Sequence, residues 1–178
     1  MILRRAHLGV LAVVGLALAG MSCRREAPSE PEVTPVPTPV PARVLLFFPG
    51  DDTLLHREAR EVAELPASMP ARIRLLVDEL LAGSQAGWAS PFSWPATVEL
   101  AFVDRDGNAF IDLTPPPPDG VTGSATEVAL LYSVTSTVVA NCPGVFRVQI
   151  LLGGVEVASL GHLDLSKPVP PQPELVAP

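Results

Sequence analysis

An α+β fold is predicted for residues 43–166 on three observations. An amphipathic helical pattern runs over 70–81, a second helical stretch runs over 124–141, and strand–turn–strand patterns lie between and after them. Residues 43–166 also hold nearly all the Phe, Trp, Ile and Leu found beyond the N-terminus. A segment of roughly 120 residues buries enough apolar surface to fold without disulfides.

Taken in order, Val44–Phe48 is an apolar run ended by Pro49-Gly50-Asp51-Asp52, the pattern of a buried strand and its turn. Leu54–Leu65 fits two readings. Glu58, Arg60, Glu61 and Glu64 suit a solvated helix face, and a short strand around Arg60–Leu65 is equally tenable. The next element is unambiguous. Pro70 suits a first helical turn, Ile73, Leu76, Val77, Leu80 and Leu81 recur at helical spacing, and Gly83 supplies a stop. Arg72 and Arg74 in the first turn and Asp78 and Glu79 near the end oppose the helix macrodipole, so packing must hold this helix.

Val98–Val103 and Ala109–Leu113 read as a hairpin around Asp104-Arg105-Asp106-Gly107-Asn108. The acidic turn does not fit a calcium loop. Counted from Asp104, the places that require Gly and Glu hold Ala109 and Pro115. In Ser124–Asn141, Ser124 and Glu127 have the spacing of a capping box. Val145–Leu152 is a strand, Gly153-Gly154 a tight turn, and Val155–Leu160 the returning strand.

The flanks have other compositions. Arg4 and Arg5 precede an apolar run from Leu8 to Ala19, too short for a membrane span and typical of an export signal. Cys23 follows that run as the modified cysteine of a lipoprotein would, so residues 1–22 are expected to be a signal peptide and Cys23 lipidated. Cleavage with release, or retention as an uncleaved anchor, are the alternatives. All three place the domain outside the cytoplasm. Residues 23–42 form a proline-rich spacer, with proline at every second position from Pro35 to Pro41. In polyproline II geometry such a spacer reaches up to about 60 Å. Residues 167–178, also proline-rich, are expected to be disordered.

The order of elements, with Leu80–Gly83, Phe110–Leu113, Glu127 with Val138, and Val145–Gly154 as its carrying residues, resembles the GerMN domain of sporulation and germination lipoproteins. The resemblance covers roughly residues 43–166. It implies two helices packed on one face of a largely antiparallel sheet, similar to the ring-building domains of sporulation channels.

Chemistry is sparse. The formal net charge is −7, and the basic residues of the domain are scattered among acids, which speaks against nucleic acid. Beyond the signal only His56 and His162 remain, and neither sits in a metal motif; His162 and Asp164 are close enough in sequence to orient one another. No nucleophile elbow or phosphate loop is present. No catalytic residue, metal or cofactor is therefore expected. Cys142 is expected to be a packed thiol, with a reactive or bridging thiol as the alternative. Asp112, alternating with Ile111, is expected to face solvent or a cap.

Two binding candidates remain. Arg72 and Arg74 are placed to face a partner, and the loop with Trp88, Phe92 and Trp94 would be a glycan or peptide platform if exposed. The leading expectation is a non-catalytic envelope lipoprotein that contacts other envelope proteins or itself. A glycan- or peptide-binding module using Trp88 and Trp94 is the alternative.

Overall fold

Period-two burial decides the stretch that the sequence left open. Leu55–Val62 forms a strand (β2) in which Glu58, Arg60 and Val62 face inward while Arg57, Ala59 and Glu61 are exposed. It pairs antiparallel with β1, Ala42–Pro49, from Ala42↔Val62 to Pro49↔Leu55. These positions come from a computed structural model describing residues 40–117, 123–160 and 162–178, all within the unit Thr38–Pro178. The expected signal peptide, Cys23 and most of the spacer lie outside the described residues.

Helix α1, Met69–Leu81, starts with Pro70 in its first turn and buries Ile73, Leu76, Val77 and Leu80 completely. Burying such side chains contributes on the order of 2 kcal/mol each. The helix ends as Gly83, at φ +87°, donates its N–H to the Leu80 carbonyl at 3.1 Å.

Strands β3, Val98–Val103, and β4, Asn108–Leu113, form the expected hairpin, with a one-residue register shift between Val98 and Leu100. The Asp104 carboxylate closes the turn, accepting the backbone N–H groups of Asp106 at 2.9 Å and Asn108 at 2.8 Å. Gly107, at φ +77°, has no room for a side chain: a Cβ there would lie 2.5 Å from the Gly144 carbonyl oxygen.

Helix α2, Ser124–Asn141, crosses from β4 to β5, Arg147–Leu152, which lies parallel to β4. The sheet order is β3-β4-β5-β6, with β6 being Val155–Glu156, so one parallel pairing sits between two antiparallel ones. Helix α1 packs on β3 and β1, α2 on β1 and β5, and the helices on each other. Around α2, Leu130, Leu131, Val134 and Val138 are buried together with Ser133, Thr135, Ser136 and Thr137. Burial on most sides offsets the low helical propensity of its β-branched residues.

Three expectations need correction. The capping box does not form, because Glu127 turns into the protein. Its carboxylate, 1% exposed, accepts the His162 backbone N–H at 2.8 Å, and α2 starts after Gly123 without a side-chain cap. The returning strand breaks in two. After β6 the chain leaves β5, and Ser159–Leu160 (β7) pairs with Leu163–Asp164 (β8). Leu165, 1% exposed, explains the break, since it is drawn into the core and donates its N–H to the Ala158 carbonyl at 3.0 Å. The proline-rich tail is ordered against the domain, not disordered. Val148 and Val169 exchange backbone bonds of 2.9 and 2.8 Å, and the Ala177 N–H reaches the Leu55 carbonyl at 2.9 Å. Proline removes donors but leaves these few N–H groups free to pair along a strand edge.

Candidate functional site

The aromatic loop divides. Phe92 and Trp94 are buried, 5.9 Å apart in an edge-to-face contact, and Trp94 Nε1 donates to the Thr114 carbonyl at 3.0 Å. They plug the core, as amphipathic aromatics with a satisfied polar atom do. Trp88 stays 37% exposed and stacks on the His56 ring at 3.9 Å between centroids, 13° from parallel. His56 Nε2 bonds the Asp52 carboxylate at 3.0 Å. That bond, with the Leu54 N–H, holds the Asp52 carboxyl below its ordinary range. Gly50 lies under the imidazole, where a Cβ would come within 2.5 Å of the ring.

Behind Trp88 lies an ion cluster absent from the sequence reading. The Arg60 guanidinium donates to Glu58 Oε1 at 2.5 Å, Glu79 Oε2 at 2.9 Å, and the carbonyls of Glu79 at 2.9 Å and Gly83 at 2.7 Å. It thereby caps the C-terminal end of α1 with a cation supplied by β2. Glu58 also accepts from Ser84 Oγ at 2.5 Å and from the N–H groups of Gln85 and Ala86. Ser84 Oγ in turn accepts the Trp88 N–H at 3.1 Å. Burial works against the Glu58 anion, but the Ser84, Arg60, Gln85 and Ala86 hydrogen bonds outweigh it and lower its pKa to about 2. The cluster thus fixes the turn that presents Trp88. Its trace in the sequence is the two-residue spacing of Glu58, Arg60 and Val62, which is legible once that stretch is a strand.

Beside this turn a cleft of about 460 Å³ opens between the β1–β2 turn and the first half of α2. Pro49, Leu55, Pro91, Val128 and Tyr132 line it. Burial raises the Tyr132 phenol, and Glu174 adds to the effect.

Arg72 and Arg74 are engaged within the chain. Arg72 Nε donates to the Pro66 carbonyl at 3.1 Å. The Arg74 guanidinium donates to the carbonyls of Val98 and Glu99, tying α1 to β3. Cys142 is fully buried and unpaired, and burial pushes its thiol up to about 11. His162 and Asp164 do not pair: the Asp164 carboxylate accepts from Ser166, and the exposed His162 ring lies 3.5 Å from Glu127. Asp112 is buried and accepts the Gly154 N–H at 2.8 Å, so it caps the Gly153-Gly154 turn. Among the described residues no group of three or more His, Cys, Asp or Glu is placed to hold a metal ion.

The sequence reading missed an apolar surface on the outer face of the sheet. Leu100 is 53% and Phe102 41% exposed there, and Phe102 stacks on Phe110 at 4.7 Å and 8°; Phe146, 61% exposed, lies beside Gly107 at the β3–β4 turn. The trace of the sheet surface was the alternation of Leu100, Phe102 and Phe110 with the buried Ala101, Ala109 and Ile111.

No protein-family model matches the chain, and no curated protein matches it. Solved structures do. A candidate lipoprotein from Clostridium perfringens is 21% identical, with a TM-score of 0.50 over 74% of this chain and 87% of that one. The first GerMN domain of the sporulation protein GerM from Bacillus subtilis is 18% identical, with a TM-score of 0.51 over 72% and 97%. The tandem GerMN domains of the same protein give 15% identity and a TM-score of 0.55 over 74% of this chain, which spans about half the length of that one, 46%. At such identities the likeness concerns the fold, and the fold of this chain is GerMN-like.

Proposed function

We propose that this protein is an extracytoplasmic lipoprotein, held at the membrane through Cys23, whose GerMN-like domain acts as a non-catalytic assembly or protein-interaction module of the cell envelope. A role in sporulation or germination is part of this reading. Support for the setting comes from the export signal and from structural neighbours that are a sporulation protein and a candidate lipoprotein.

The carrying observation is the exposed pair Leu100 and Phe102 on the sheet, with exposed Phe146 beside the β3–β4 turn. Large apolar side chains exposed together on a surface favour protein contact. The charged clusters support the same reading, because Arg60, Glu58, Glu127, Asp104 and Asp112 each bond the backbone of their own chain.

The test places photo-crosslinking residues at Leu100 and Phe146 in intact envelopes, with mass spectrometry of the membrane fraction. Protein adducts and a diacylglyceryl-modified Cys23 are expected. Absence of adducts at both positions, or an unmodified soluble chain, refutes the reading. A second reading, binding of a glycan or peptide, is favoured by the apolar cleft beside the exposed Trp88. Loss of binding to muropeptides or glycans on Trp88→Ala, with no adducts at Leu100 or Phe146, would install it instead.

A further inference from the structure

Backbone groups on a strand edge are either satisfied within the chain or available to another strand. Along β1 they are largely satisfied from Leu45 onward. Asn141 bonds both the N–H and the carbonyl of Leu45, Thr137 Oγ1 accepts the Phe47 N–H, and the Ala89 N–H reaches the Pro49 carbonyl. The tail covers β5 at Val148 and β2 at Leu55. At the start of β3, Arg74 takes the carbonyls of Val98 and Glu99, and the register shift there disrupts the edge.

Among the described residues β2 beyond Leu55 and the end of β3 remain open over more than one residue. Their side chains differ. The open part of β2 carries exposed Arg57 and Glu61, charges that guard an edge. The open part of β3 carries Leu100 and Phe102, both exposed, with no charge between them. The Asp104 N–H bonds the Asn108 carbonyl at 3.0 Å, and the antiparallel alternation then directs residues 102 and 100 toward β4. Ala101 and Val103 therefore aim their N–H and C=O groups outward. A cleft of about 500 Å³ between this edge and α1, lined by Ala71, Arg74, Leu75, Leu100 and Ala101, leaves space alongside.

We propose that this edge pairs antiparallel with the same edge of a second copy of the chain, about a two-fold axis through Phe102. The proposal deepens the assembly reading and rests on it. The strand matches itself in this register. Ala101 of each copy meets Val103 of the other in a hydrogen-bonded pair. The two Phe102 residues meet in the non-hydrogen-bonded position, where side chains are closest. Phe110 stands behind each, so four aromatic rings cross the join. Arg105, just past the strand, comes beside the other copy's Glu99, opposite charges twice over. Any other partner strand would have to supply the same matches. Arg74 and the bulge stop the pairing at Leu100, so it is short and weak in dilute solution, and it gains where copies share one surface.

The experiment is oxidative crosslinking of the full chain with Phe102→Cys in intact envelopes. A disulfide-linked dimer is expected, absent from the wild type and from Arg57→Cys on the other open edge. A photo-crosslinker at Leu100, which keeps Phe102, is expected to give the same homodimer. Glu99→Arg should lower the dimer yield about two- to threefold per pair, and adding Arg105→Glu should restore it. No dimer above the Arg57→Cys level, or no restoration, overturns the proposal. Adducts from Leu100 and Phe146 to a different protein only would overturn self-pairing and leave the assembly reading standing, whereas no adducts at all would remove both.

Discussion

Arg60→Met tests the ion cluster that joins β2, α1 and the Trp88 turn. The guanidinium is 5% exposed and makes four hydrogen bonds, two to carbonyls at the end of α1 and two to the carboxylates of Glu58 and Glu79. Methionine fills similar volume but leaves Glu58, 8% exposed, without its counter-charge. Breaking a buried pair from one side costs about 3–5 kcal/mol. Glu79 is 27% exposed and rehydrates, which favours the lower end, about 3 kcal/mol. The same cluster predicts acid sensitivity. Glu58 titrates at about 2 in the folded chain against an ordinary 4.5. A depressed carboxyl contributes stability above its unfolded value that is lost as pH falls toward the folded one. The window is pH 4.5 to 2, and the loss is about 3 kcal/mol. Urea unfolding followed by tryptophan fluorescence, at pH 7 and at steps through that window, measures both effects. Arg60→Met should lower stability at pH 7 and flatten the acid dependence. A variant within about 1 kcal/mol of wild type, with an unchanged acid slope, would refute the reasoning, since ordinary surface pairs are worth that little.

Trp94→Ala should destabilise the domain by about 3–5 kcal/mol in urea melts, because it empties a core position and orphans the Thr114 carbonyl; Trp88→Ala should stay within about 1 kcal/mol. Ending the chain at Ser166 removes the tail bonds at Val148 and Leu55. It should lower the unfolding free energy by about 1–3 kcal/mol and raise light scattering as two strand edges open.

Much of the fold was legible because burial period and turn chemistry are local signals. Helix α1 was readable from Ile73, Leu76, Val77 and Leu80, and the β3–β4 hairpin from Gly107 and Asn108. What failed depends on distant partners. Glu127 has capping-box spacing, yet the His162 N–H, 35 residues on, claims its carboxylate. The tail looked disordered by composition, but composition does not show that β5 and β2 have unpaired edge groups waiting for it. Glu58 and Arg60 fit a solvated helix face as well as a strand, because the partners of Arg60, Glu79 and the Gly83 carbonyl, are about twenty residues away in sequence. At the candidate site, Trp88 and Trp94 are alike in composition and opposite in burial, because their partners, His56 for Trp88 and Thr114 for Trp94, lie far off in sequence.

Where this chain breaks a local rule, the break marks a contact between elements. Arginines in the first turn of α1 oppose the macrodipole, and Arg72 and Arg74 are found tying α1 to the Pro66 and Val98–Glu99 carbonyls. Glu79 near the end of α1 opposes it too, and Arg60 from β2 answers it. The exposed Leu100 and Phe102 beside an open edge break the rule that edges be charged, short or covered. Unlike the others, this break has no answering group among the described residues. By the logic that accounts for the arginines and acids, such a break calls for a partner, and the proposed pairing with a second copy, through a strand that matches its own antiparallel image, would supply one.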